Sequence, residues 1–170
     1  EDLTTAEIIA PQMETAIQIK GEDKAHVGDT PNPEEQVHDI VFDGFSIEGT
    51  DFPSYYSYGW NSYDAKGAIG YYPPEEGITL PTFCEQTERP QFQVGGIVMR
   101  DTNNITIKNS ELSNIGMTGI VLWQDNESNT ITNCHIKETG YCAILIDGGY
   151  PGVGEYNGYH TFDNLVIHNT

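Results

Sequence analysis

The chain has 170 residues, 37% of them hydrophobic, with 18 Gly, 9 Pro and 3 Cys. Seven Lys plus Arg stand against 26 Asp plus Glu, a net charge of −19. Such a field repels nucleic acid and anionic membrane surfaces, and no apolar stretch is long enough to cross a bilayer.

In chain order, EIIAP (7–11) and AIQIK (16–20) read as two strands. A charged, Pro-containing loop follows over about 22–36, rich in turn formers. DIVFDGFSIEGTD (39–51) opens the first recognisable coil, and a long interruption then runs over about 52–93. Three strand-like segments come next in one register: GGIVMRD (95–101), TGIVLWQD (118–125) and YCAILIDGG (141–149). They align Gly96, Gly119 and Ala143, then Ile97, Ile120 and Ile144, then Met99, Leu122 and Ile146. Between and after them a second sentence recurs: NITIKNSELSNIG (104–116), NTITNCHIKETG (129–140) and TFDNLVIHNT (161–170). This register places Asn109, Asn133 and Asn164 in one column and Leu112, Ile136 and Ile167 in the next, with Gly44 and Ile47 as the degenerate counterparts. The same alignment sets Cys134 beside Phe45, Ser110 and Leu165. A third insertion occupies 148–160, and no amphipathic helix is evident.

Self-similarity at about 24 residues means that each unit buries its apolar face only by stacking on the next. The 31-residue step from Asn133 to Asn164 then reads as one turn plus a short insertion. Because strand side chains alternate, Ile97/Ile120/Ile144 and Met99/Leu122/Ile146 point inward. Val98/Val121/Leu145 and Arg100/Trp123/Asp147 then point outward. The Asn column is structural, each amide bonding a neighbouring turn at about the 4.8 Å strand spacing. The predicted fold is all-β, a stacked β-solenoid forming a single domain over 1–170 with the three inserted loops.

On these residues the chain resembles the right-handed parallel β-helix proteins of the pectate-lyase-like type, and among them the large secreted glycoside hydrolases. TAEIIAPQMETAIQIKG and VHDIVFDGFSIEGTDF look like the lead-in of that fold, and GIVLWQDNESNTITNCHIKETG like its repeated coil. The resemblance implies a carbohydrate-active protein, secreted, periplasmic or on the cell surface, with a polysaccharide or oligosaccharide as partner. Lyases, hydrolases, epimerases and phage tailspikes share this coil, so it names no catalytic residue. The chain begins in strand-like sequence and stops inside a coil, which reads as one section of a longer β-helix whose remainder is itself a partner.

The net charge makes a neutral glycan the easier substrate and disfavours polygalacturonate unless Ca²⁺ bridges the two. More than half of the Phe, Tyr and Trp residues lie in 52–93, where Tyr58 and Trp60 suit one wall of a glycan cleft. Tyr150, Glu155 and His160 in the third insertion suit the opposite wall. The competing reading is that the rings only pack their own loop.

Hydrolysis needs a carboxyl pair about 5–5.5 Å apart for retention or about 6.5–9.5 Å apart for inversion. Rungs of a β-helix supply such spacings, and Asp147 and Asp125 are the first candidates, with Glu155, Glu138 and His160 behind them. Taken singly, each of these acids reads more readily as a solvated turn carboxylate, Glu138 most of all. Trp123 and Arg100 are the outward candidates for substrate contact. His135 and His168, with Glu111 and Lys137, form a second polar patch.

No cofactor is required and no metal ligand is assigned, although Ca²⁺ can be held by Asp101, Asp125 and Glu127. The cysteines lack zinc spacing and read as free thiols, with a Cys84 disulfide to Cys134 or Cys142 as the alternative. A lyase or epimerase would need more basic residues. A glycan-binding or adhesin segment would need none of the acids.

Overall fold

The computed structural model describes residues 11–21, 36–51, 94–147 and 161–170, which fall in one compact unit. These residues contain no helix and wind into four coils of parallel strands. The first coil holds β1 (Ile17–Lys20), β2 (Val37–His38), β3 (Val41–Asp43) and β4 (Ser46–Thr50). The second holds β5 (Gly95–Asn103), β6 (Thr106–Lys108) and β7 (Glu111–Ile115). The third holds β8 (Thr118–Glu127), β9 (Thr130–Thr132) and β10 (His135–Thr139), and the fourth β11 (Ile144–Asp147), β12 (Thr161–Phe162) and β13 (Leu165–Ile167).

Equivalent strands stack into three sheets. One runs β1–β5–β8–β11, with β2 also on β5 and β12 also on β8; the others run β3–β6–β9–β13 and β4–β7–β10. The predicted AIQIK strand is β1, while EIIAP, apart from its last residue, lies outside the described residues.

The corners explain the Asn, Asp and Gly content. One column of corner residues, Asp39, Asn104, Ser128 and Asp163, holds φ of 58, 53, 56 and 54°. A second, Gly44, Asn109, Asn133 and His168, holds 71, 53, 53 and 56°, and a third, Gly49, Asn114 and Glu138, holds 78, 53 and 54°. Left-handed backbone costs most L-residues roughly 1–2 kcal/mol, and Gly, Asn and Asp bear it best.

Inward columns make the core. Ile97, Met99, Ile120 and Leu122 are at most 1% exposed, and they pack with Ile19, Ile105, Ile107, Leu112, Ile115, Ile131, Cys134 and Ile136. Phe42 and Phe45, in edge-to-face contact at 6.2 Å, pack against this core from the first coil. The Gly96/Gly119/Ala143 column is small because coils press together there. A side chain on Gly119 would meet the Ala143 carbonyl and, at 2.6 Å, the Ile136 Cγ2.

Two kinds of asparagine hold neighbouring coils together. At the surface, Asn133 Nδ2 donates to Asn109 Oδ1 at 2.6 Å, and Asn109 Nδ2 donates to Asp43 Oδ1 at 2.7 Å. Inside, Asn129 is 1% exposed and its Oδ1 accepts the Ile105 N–H at 2.8 Å. Asn164 and Asn169 repeat this inner role one coil later, accepting the N–H groups of Asn129 and Cys134 at 3.0 and 2.8 Å.

The last repeat therefore stands four residues from its predicted register. Leu165 pairs with Thr130 and Ile167 with Thr132, so Asn164 matches Asn129, and His168 matches Asn133. Asn169, not Leu165, shares the column of Cys134, and Ile167 leaves the column of Leu112 and Ile136. The inner anchors Asn129 and Asn164 are 35 residues apart, against 24 for Ile105 and Asn129. His168 consequently sits at a corner of the β13 sheet, away from His135 on β10.

Candidate functional site

β5 and β8, of nine and ten residues, are continuous where their neighbours are divided. β1 and β2 pair successive halves of β5, and β11 and β12 pair successive halves of β8. The sequences joining the divided strands are the predicted first and third insertions, so both depart from this sheet at one level. β8 carries one extra residue at that level. Arg100 pairs with Trp123 and Thr102 with Asn126, leaving Asp101 against Gln124 and Asp125. Such bulges re-aim side chains and are common beside active sites.

Polar side chains crowd the bulge. Asp101 and Asp125 are 6% and 1% exposed, and Asp101 takes a φ of 55°. The Asp101 carboxylate lies over the backbone of Gly21, where an added Cβ would stand 2.6 Å from both Oδ2 and the carbonyl oxygen. Beneath it Thr102 Oγ1 donates to Asn126 Oδ1 at 2.7 Å, while Asn126 Nδ2 donates to the Trp123 carbonyl at 2.7 Å. The first bond ties β5 to β8 and the second spans the extra residue within β8, so the bulge is a built feature.

The predicted site residues are only partly brought together. Lys20, Arg100, Trp123 and Asp147 fall in one row across four adjacent strands, as the outward column required. Asp125 is a correction: it is a buried residue of the bulge, not a solvated residue closing a strand. Trp123, at 3% exposed, and Val98 and Val121, at 5% and 0%, are also out of solvent, so Trp123 presents no open stacking face. Tyr58, Trp60, Cys84, Tyr150, Glu155 and His160 lie outside the described residues, as do the insertions over 52–93 and 148–160. Glu138 occupies a corner, exposed and remote in register from the bulge.

Among the described residues no three His, Cys, Asp or Glu side chains converge as metal ligands. Glu127, proposed with Asp101 and Asp125 for Ca²⁺, instead accepts from Asn103 Nδ2 at 2.9 Å. Cys134 and Cys142 are free thiols, and burial pushes both above their ordinary value. In the β10 patch, Lys137 Nζ contacts Glu111 Oε1 at 2.9 Å and lowers the Glu111 carboxyl, while His135 Nδ1 bonds Thr170 Oγ1.

Two residues, one in the bulge and one a strand away, carried little sequence signal as a site. Asp101 was legible only as a calcium candidate, and Gln36, 4% exposed just before β2, not at all. The bulge itself leaves a trace: Ile97 to Ile120 spans 23 residues, while Asn109 to Asn133 spans 24.

No curated protein and no solved structure matches the chain. A family model described as the right handed beta helix region matches residues 84–170, just over half the sequence. That match covers the second to fourth coils. The chain belongs to the right-handed β-helix family.

Proposed function

We propose that this β-helix is part of a secreted glycoside hydrolase acting on a plant or host polysaccharide or oligosaccharide at the β5–β8 bulge. The observation that carries the reading is the pair of buried carboxylates, Asp101 and Asp125, on adjacent coils. Adjacent strands are about 4.8 Å apart. Carboxyls on neighbouring rungs can therefore meet the spacing of about 5–5.5 Å used with retention, or with an offset the wider inverting distance. One carboxyl protonates the leaving oxygen, and the other attacks the sugar or activates water. Asp147, one rung beyond Trp123, remains the third candidate, with Arg100 and Trp123 lining the same row.

A lyase or epimerase reading is weaker, because only seven Lys plus Arg serve the whole chain to neutralise a uronate. Non-catalytic glycan binding is the second reading. The burial of Asp125 and Trp123 favours it, since a covered carboxyl must be reached before it can react.

The test is release of reducing ends from a panel of neutral and acidic polysaccharides, comparing wild type with Asp125→Asn, Asp101→Asn and Asp147→Asn. Loss of an acid or base of the pair lowers turnover by about 10²–10⁴-fold. Cleavage that survives both Asp125→Asn and Asp101→Asn overturns this assignment. Unsaturated products absorbing in the ultraviolet identify a lyase.

A further inference from the structure

We infer that Gln36 is a ligand-binding residue of the bulge site, its carboxamide taking two adjacent hydroxyls of a neutral sugar. The inference rests on the glycan reading above and narrows its substrate class.

Gln36 is 4% exposed, and neither its Nε2 nor its Oε1 has a hydrogen-bond partner. Buried polar atoms are nearly always bonded, and leaving them unmet is costly, so a fully buried carboxamide with both ends open calls for a ligand. Register gives its position. Val37 pairs with Thr102 and packs against the core, so Gln36 precedes it beside Asp101, one strand from the bulge. It stands immediately before β2, at the level of the sheet where Asp101 and Asp125 make the bulge.

The chemistry of the partner follows from the open atoms and their surroundings. A carboxamide offers one acceptor and two donor hydrogens side by side, so its complement must both donate and accept. Neighbouring sugar hydroxyls do both. A carboxylate only accepts, and here it would sit beside Asp101 and Asp125 in a chain of net charge −19. The site thus selects against a uronate and for a neutral ring.

The experiment pairs a binding measurement with a melting temperature for wild type and Gln36→Met, an apolar residue of similar length. Calorimetric titration uses cellohexaose, xylohexaose and mannohexaose, with pentagalacturonate as the acidic probe. At least one neutral oligosaccharide should bind wild type more tightly than pentagalacturonate, and Gln36→Met should weaken that binding about tenfold or more. Gln36→Met should keep or raise the melting temperature, because it removes unmet polar atoms without breaking a bond in the fold.

Three results overturn the inference: a melting temperature lowered by several degrees, which makes Gln36 a structural partner; unchanged neutral-glycan binding, as expected if water alone meets the carboxamide; and tighter binding of pentagalacturonate by wild type. Reducing-end release is followed separately. Gln36-dependent binding without cleavage removes the hydrolase reading and leaves this inference standing.

Discussion

Replacing Asn129 by Ala should cost far more than replacing Asn133 by Gly, although both asparagines belong to one repeat. Asn129 is 1% exposed; its Oδ1 accepts the N–H of Ile105, itself 0% exposed, at 2.8 Å. Its Nδ2 donates to Thr102 Oγ1 at 3.1 Å. Alanine would leave the Ile105 N–H buried without an acceptor, at about 1–3 kcal/mol, and would remove the Thr102 bond, at about 0.5–1.5 kcal/mol. Thr102 Oγ1 keeps Asn126, so nothing further is orphaned. The expected loss is about 2–4 kcal/mol. Asn133 is exposed, with a φ of 53° and a surface bond to Asn109. Glycine tolerates that φ, so Asn133→Gly should stay within about 0.5 kcal/mol. Urea titrations followed by circular dichroism and by fluorescence give both values, and coincident curves confirm a single transition. Equal losses for the two variants would refute the division into inner anchors and surface ladder.

Gly119→Ala should destabilise by about 1–3 kcal/mol or more, because its Cβ would strike the Ala143 carbonyl and Ile136. Gly96→Ala should cost less, since its nearest contact is the Gly119 oxygen at 3.0 Å; the same titrations rank them. Acid should destabilise the fold. Asn104 and His38 lower the Asp39 carboxyl, Asn109 and then Lys108 lower that of Asp43, and Lys137 lowers that of Glu111. Carboxyls lowered by folding add stability above their ordinary values of 3.8, 3.8 and 4.5, and that stability is lost as pH falls through the lower folded values. Melting temperature should therefore drop as pH passes below the ordinary carboxylate range, and Asn109→Ala should shrink the drop. An Asn109→Ala curve parallel to wild type would contradict the Asp43 contribution. Raising pH through the ordinary Lys value of 10.5 and beyond should remove the Lys137–Glu111 contribution, because Glu111 raises Lys137.

The stacking was legible because Ile97/Ile120/Ile144 and Met99/Leu122/Ile146 pair as their alignment required, although Ile146 on β11 is 47% exposed and outside the core cluster. The last repeat was misread for a physical reason. An asparagine can serve as a corner, as Asn133 does, or as the buried anchor just after one, as Asn129 does. These roles lie four residues apart in the repeat, and Asn164 fits either in one dimension. Only the partner of its amide, the Asn129 N–H, separates them. The site was harder to read. Asp125 resembles a turn acid until the extra residue of β8 places it beside Asp101, and Gln36 gains meaning only from its burial next to the strand that carries Asp101.

The most direct test of the account is a chemical-shift map of the isotopically labelled chain titrated with the neutral oligosaccharide that it cleaves or binds best. Backbone amides of Gly21, Gln36, Arg100, Asp101, Trp123 and Asp125 should shift together and saturate with one dissociation constant. Shifts concentrated instead on the corners around Asn109 and Asn133, or on the β7–β10 face around Glu111 and Lys137, would place the ligand elsewhere and contradict a site at the bulge.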